Sequence, residues 1–135
     1  MVRLNDVTKR YGAKVAVRDL SLQIARGEYV ACVGPSGCGK TTALRMIAGL
    51  EIPDSGEIWL EGRLANGPAQ LIPPYRRGVG MVFQSLALWP HMTVEQHLAY
   101  VIGKARSWRD LRSEIDRLLG LGKLAGKRRS YPGEM

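Results

Sequence analysis

At 135 residues, 45% apolar and 24% charged, the chain has the composition of one soluble globular domain with a core of moderate size. The net charge of +8 is concentrated late. From position 104 onward nine lysines and arginines face four acidic residues, with no interleaved base-stacking aromatics apart from Trp108 and Tyr131, which suits a solvated helical face and no nucleic acid. No apolar run approaches membrane-spanning length and no signal peptide heads the chain. The two cysteines, Cys32 and Cys38, have neither metal nor redox spacing, so a reducing cytoplasm is expected.

In chain order, Val2-Arg3-Leu4-Asn5-Asp6-Val7 alternates apolar and polar residues and reads as a strand. Tyr11-Gly12-Ala13-Lys14 is a turn, and Val15-Ala16-Val17 and Leu20-Ser21-Leu22-Gln23-Ile24 resume extended structure. After an Arg26-Gly27 turn, Glu28-Tyr29-Val30-Ala31-Cys32-Val33 is strand-like. The next eight residues, Gly34-Pro35-Ser36-Gly37-Cys38-Gly39-Lys40-Thr41, fit G-x-x-x-x-G-K-[ST], the phosphate-binding loop. A helix from Thr41 should stop at Gly49.

The residue types explain the chemistry. A triphosphate is a compact anion, and inward-pointing backbone N–H groups can hold it. Gly34, Gly37 and Gly39 allow the φ values that such a curl needs. The helix opening at Lys40 adds unpaired N–H groups and a partial positive charge. Lys40 is expected on the β- and γ-phosphates, the Thr41 hydroxyl on Mg²⁺, and Thr42 near the α-phosphate. Cys38 occupies a variable position of the motif.

Further on, Pro53-Asp54-Ser55-Gly56 is a turn and Glu57-Ile58-Trp59-Leu60-Glu61-Gly62 a half-buried strand. Asn66-Gly67-Pro68 and Pro73-Pro74 mark loops, and Val79-Gly80-Met81-Val82-Phe83 reads as a buried strand ending at Gln84. Thr93 followed by Gln96 predicts a capping box opening a helix to about Lys104. Ser107 should cap a second helix with Leu111, Ile115, Leu118 and Leu119 on one face. His91 and His97 have no metal-ligand spacing and read as structural or surface residues.

Several of these segments, in order, resemble the ATPase subunit of ABC (ATP-binding cassette) transporters. Lys9-Arg10-Tyr11-Gly12 is similar to the family's adenine-stacking loop, and Gly34 to Thr42 to its Walker A loop. Val79 to Gln84 resembles the strand ending in the Q-loop glutamine, and Leu88-Trp89-Pro90-His91-Met92-Thr93-Val94 the entry to the helical subdomain. Within the family, importer subunits of the maltose and polyamine type look most similar. The resemblance implies an α/β P-loop NTPase half-domain. Residues 1–84 would form an antiparallel β subdomain and a partial RecA-like core. Residues 85–135 would begin the α-helical subdomain, ahead of the signature motif, whose lead-in Tyr131 to Met135 resembles. It implies Tyr11, Gly34, Pro35, Ser36, Gly37, Cys38, Gly39, Lys40, Thr41 and Thr42 as nucleotide-binding residues. Lys40 and Gln84 would be catalytic, and Thr41 and Gln84 would be Mg²⁺ ligands. ATP and Mg²⁺ are the implied cofactors. A membrane permease, a second ATPase subunit and, indirectly, a solute-binding protein are the implied partners, with the subunit peripheral on the inner face of the cell membrane. Walker B, the D-loop and the switch histidine do not occur in these residues, so little hydrolysis by them alone is expected. The loop by itself also fits a P-loop kinase or a non-catalytic interaction module, and Tyr11 by itself fits a half-buried strand aromatic.

Overall fold

The computed structural model describes residues 1–84, 88–103 and 107–135. They form two compact units, Met1–Met81 and Val82–Met135. The first unit is built on an antiparallel sheet of five strands in the order β2-β1-β3-β4-β5. Strand β1 (Val2–Tyr11) turns at Gly12-Ala13 into β2 (Lys14–Ile24), with Tyr11 opposite Lys14. The two short extended stretches expected after the turn are therefore one strand. Its interruption is a local irregularity at Asp19, which has φ 46°. The Asp19 N–H donates to Thr8 Oγ1 and the Asp6 N–H to Ser21 Oγ, each at 2.9 Å, so short polar side chains serve backbone that leaves the regular ladder.

Strand β3 (Ser55–Leu60) pairs with β1, and β4 (Arg63–Gly67) with β3. Asn66-Gly67, expected in a loop, belongs to β4. Its neighbour β5 (Gln70–Leu71) pairs with both residues, and the ladder outweighs the turn preference of the Asn-Gly dipeptide. Leu4, Val7, Ile58, Ala65 and Met46 are fully or almost fully buried and form the core. Met46 comes from helix α1 (Lys40–Ala48), so burial of one helical side chain docks the helix on the sheet. The helix stops where expected: Gly49 takes φ 82°, and its N–H bonds to the Met46 carbonyl at 3.1 Å.

Glu28–Val33, read as strand-like, and Val79–Phe83, read as a buried strand, do not enter a ladder. A strand needs a hydrogen-bonded neighbour. The described residues supply only the antiparallel sheet, and neither run pairs with its edge strands β2 and β5. Tyr29, Val33 and Val82 consequently face solvent.

In the second unit α2 (Val94–Ile102) opens with the expected reciprocal cap. Thr93 Oγ1 accepts from the Gln96 N–H and Gln96 Oε1 accepts from the Thr93 N–H at 2.8 Å. The expected helix end at Lys104 lies outside the described residues. Helix α3 (Trp108–Leu121) is capped by Ser107, whose Oγ accepts from the Asp110 N–H at 3.1 Å. It buries Ile115 and Leu119, with Leu111 and Leu118 half-buried on the same face. Arg128 ties the unit together, reaching Glu95 at 2.7 Å and Asp116 at 2.5 Å. His97 takes the structural place expected of it: its Nε2 accepts from the Trp89 N–H at 2.9 Å and its Nδ1 lies 2.9 Å from the Thr93 carbonyl.

Ile58→Ala should destabilise the first unit by about 2–5 kcal/mol, whereas Tyr75→Ala, at an exposed position, should stay within about 0.5 kcal/mol; denaturant titration checks both. The hydrogen bond from Arg128 holds the Glu95 carboxyl below its usual range. A depressed folded-state value contributes stability above the ordinary carboxylate range, lost as pH falls through the folded value. Circular-dichroism melts from about pH 7 to about pH 3 should therefore show acid destabilisation of the helical unit, with a shallower slope in Arg128→Met.

Candidate functional site

The hairpin between β1 and β2 and the loop before α1 converge on one hollow of about 220 Å³. Tyr11, Lys14 and Ala16 line it from the hairpin, and Gly37, Gly39, Lys40, Thr41 and Thr42 from the loop and first helical turn. The convergence depends on Gly39. Its φ of 96° suits glycine, and a Cβ there would lie 2.3 Å from the Ala16 carbonyl oxygen. Only a bare backbone lets the helix entrance press against β2 this closely.

The loop curls as its glycines suggest, with positive φ at Gly34 and Gly37 as well. The first N–H groups of α1 have no intrahelical acceptor, and no acidic side chain occupies the first turn. The Lys40 ammonium donates to the Gly34 and Pro35 carbonyls, each at 2.8 Å, and lies 3.4 Å from Cys38 Sγ. The loop thus folds around its own cation. Amides, ammonium and helix pole together suit a compact anion. Cys38 is exposed, and its Sγ comes within 2.8 Å of where a Cβ on Gly34 would sit. Pro35 and Ser36 are exposed on the same loop.

Tyr11 is braced from behind. Lys9 Nζ stands 5.5 Å from the ring centroid, donates to the Ile52 carbonyl at 2.7 Å and pairs with Glu51 at 3.2 Å. Burial opposes the charge on Lys9, but the Glu51 and Asp54 carboxylates outweigh it and hold the ammonium above its usual range. Asp54 also accepts from the Arg10 N–H at 2.5 Å, fixing the strand end that carries Tyr11. The ring itself is about half exposed.

Lys14 and Ala16 line the hollow without having been singled out by sequence reasoning. The signal was available in the turn: a two-residue connection puts Lys14 opposite Tyr11, and opposed residues share a face. Gln84 is exposed in a turn of the second unit. Trp89 packs edge-on to Tyr100 at 4.8 Å and stacks on His97 at 5.7 Å. Among the described residues no group of three or more His, Cys, Asp or Glu is placed to hold a metal ion, and no helix is long and apolar enough to cross a membrane. A cation ligated by one hydroxyl, phosphate oxygens and water would leave no such cluster.

A profile of the family described as ABC transporter matches residues 17–134. The chain belongs to this family. The spermidine/putrescine import ATP-binding protein PotA of Rubrobacter xylanophilus is 48% identical over 138 residues, which cover 99% of the chain and 35% of the relative. The trehalose/maltose import ATP-binding protein MalK of Thermococcus litoralis is 46% identical, with 94% of the chain and 36% of the relative covered. The chain therefore spans about a third of the length of these curated relatives. Among solved structures, the dimeric structure of MJ0796, a bacterial ABC transporter cassette, matches with a TM-score of 0.83 at 29% identity, over the whole chain and 63% of that cassette. A post-hydrolysis state of the same cassette, bound to ADP and Pi, matches with a TM-score of 0.79 at 31% identity. The fold is accordingly the ABC ATPase half-domain that the motifs implied, and family membership sets aside the kinase reading of the loop.

Gly39→Ala should lower the melting temperature by on the order of 5 °C or more, through backbone strain and the Ala16 clash. Gly126→Ala, at an open position, should leave it nearly unchanged. Thermal melts of the two variants side by side make the check.

Proposed function

We propose that the chain binds ATP with Mg²⁺ between Tyr11 and the Gly34–Thr42 loop, and that in the complete protein hydrolysis of that ATP powers solute import across the cytoplasmic membrane. The supporting observation is the single hollow that Tyr11, Lys40, Thr41 and Thr42 share. Its lining would place the base on Tyr11 and the phosphates on the loop. The Lys40 ammonium would exchange the Gly34 and Pro35 carbonyls for phosphate oxygens, gaining a charged partner for two neutral ones. Thr41, at the exposed first turn, would offer its hydroxyl to the metal, which neutralises the β- and γ-phosphates when bound.

Functionally, residues 1–84 would serve as the nucleotide-binding part and residues 85–135 as the beginning of the helical part. Gln84 would join them, reaching the metal or the attacking water and reporting nucleotide state. Residues Trp89 to Met92 would face the cytoplasmic helix of a permease. A second ATPase subunit would complete the nucleotide site, and a solute-binding protein would act through the permease. The relatives' names as import ATP-binding proteins support the import reading, and a membrane-peripheral place on the inner face would go with it.

None of the described residues lining the hollow is a carboxylate. These 135 residues by themselves are therefore expected to bind nucleotide with negligible turnover. Isothermal titration with Mg²⁺–ATP, paired with a phosphate-release assay, tests the reading. Lys40→Ala should weaken binding about 10–100-fold, the loss of a charged hydrogen bond. Tyr11→Ala should cost about 1–3 kcal/mol of stacking. Heat of binding that survives Lys40→Ala unchanged would refute the phosphate site, and multiple turnovers abolished by that substitution would refute the absence of hydrolysis.

A further inference from the structure

Arg77 is a charged side chain with only 8% of its surface exposed, and no carboxylate pairs with it among the described residues. Its guanidinium is instead satisfied by carbonyls. Nη1 donates to Met46 O at 2.8 Å and to Ile47 O at 3.1 Å, Nε to Ile72 O at 2.8 Å, and Nη2 to Ala65 O at 3.4 Å. The first two acceptors are last-turn carbonyls of α1, which lack intrahelical donors. Ala65 lies on β4, and Ile72 just beyond β5. One planar fork therefore ties the end of the helix to the far side of the sheet.

The neighbouring backbone is shaped to admit it. A Cβ on Gly49 would sit 2.4 Å from Arg77 Nε and 2.8 Å from its Cζ. Gly49 thus both ends the helix at φ 82° and leaves room for the guanidinium. A cation at this end also meets the negative pole of the helix, which offsets part of what burial takes from it. At the opposite end, about 13 Å away for nine residues, the same helix carries Lys40, Thr41 and Thr42. Its entrance is held by Gly39 against the Ala16 carbonyl. The helix is a short rod clamped at both ends, and its free N–H groups are aimed by the two clamps.

We propose that Arg77 is a positioning residue of the phosphate site, acting through the C-terminal carbonyls of α1 to set the height and tilt of the helical turn that receives the anion. The inference rests on the nucleotide reading of that turn. Arg77 touches no phosphate itself. Without it the Ile47 carbonyl loses its donor and the Met46 carbonyl keeps only the Gly49 N–H, the helix can slide or rock on Met46, and the amide nest loses its aim.

The test compares the unmodified protein with Arg77→Lys, which keeps the charge and loses the fork, and with Arg77→Met. Binding of Mg²⁺–ATP and Mg²⁺–ADP is measured by titration at a temperature where circular dichroism reports every variant folded. Amide exchange at Ala43, bonded to Gly39 O at 2.9 Å, is read against the Ile58 amide of the sheet. Both nucleotides should bind Arg77→Met roughly tenfold more weakly, the scale on which outer-shell partners act. Arg77→Lys should fall between, and Ala43 exchange should quicken relative to Ile58. If Arg77→Met does not fold, Arg77→Lys and the exchange ratio carry the test. Variants that melt earlier yet bind both nucleotides as the unmodified protein does would overturn the inference and leave the phosphate site standing. No binding by the unmodified protein would instead strike the nucleotide reading. The exchange ratio then decides the positioning claim by itself, which fails if the ratio stays unchanged.

Discussion

Backbone meets backbone where Gly39 passes the Ala16 carbonyl, and the geometry of the site depends on that approach. Helix α1 has one fully buried side chain, Met46, and that contact lies near its far end. Without the close pass at its entrance, the helix would be held only at its far end, by Met46, Ile47, Ala48 and the Arg77 fork. The missing Cβ is therefore a structural element as much as any strand. It lets the hairpin of β1 and β2 bring Tyr11 and Lys14 beside Lys40, although both are distant from it in the chain.

Charge is handled by the same economy of backbone groups. The ammonium of Lys40 rests on carbonyls of its own loop, the guanidinium of Arg77 on carbonyls at the helix end, and the ammonium of Lys9 on the Ile52 carbonyl beside two carboxylates. Lys40 differs from the other two in being at the mouth of a hollow, with exchangeable partners. Arg77 is enclosed, and burial pushes its guanidinium below the usual range, yet a guanidinium stays charged under any ordinary condition. Its four acceptors are thus a permanent fixture, whereas those of Lys40 can be traded for an anion.

Much of this was legible in the sequence because it depends on local grammar. The motif, the glycine stop at position 49, the Thr93–Gln96 box, the Ser107 cap and the Ile115/Leu119 face each follow from spacing over a few residues, and each appears in the fold. The two apolar runs before the loop and before Gln84 read as strands by the same grammar, but a strand also requires a neighbour, and no local pattern provides one. Asn66-Gly67 failed for the converse reason: its turn composition was overruled by β5. Lys14 went unnoticed because its importance lies in register, and Arg77 because nothing in the run Pro74-Tyr75-Arg76-Arg77-Gly78 sets one arginine apart from the other. Both are properties of what the chain brings together from a distance.

The two extended runs have a bearing on how the molecule would behave in a test tube. Tyr29, Val33 and Val82 stand out in water beside main-chain groups with no ladder to join. Such stretches act as adhesive seams, ready to accept an added strand from any other polypeptide that offers one. Clumping of this chain should accordingly begin at those few residues, with its positive charge opposing it.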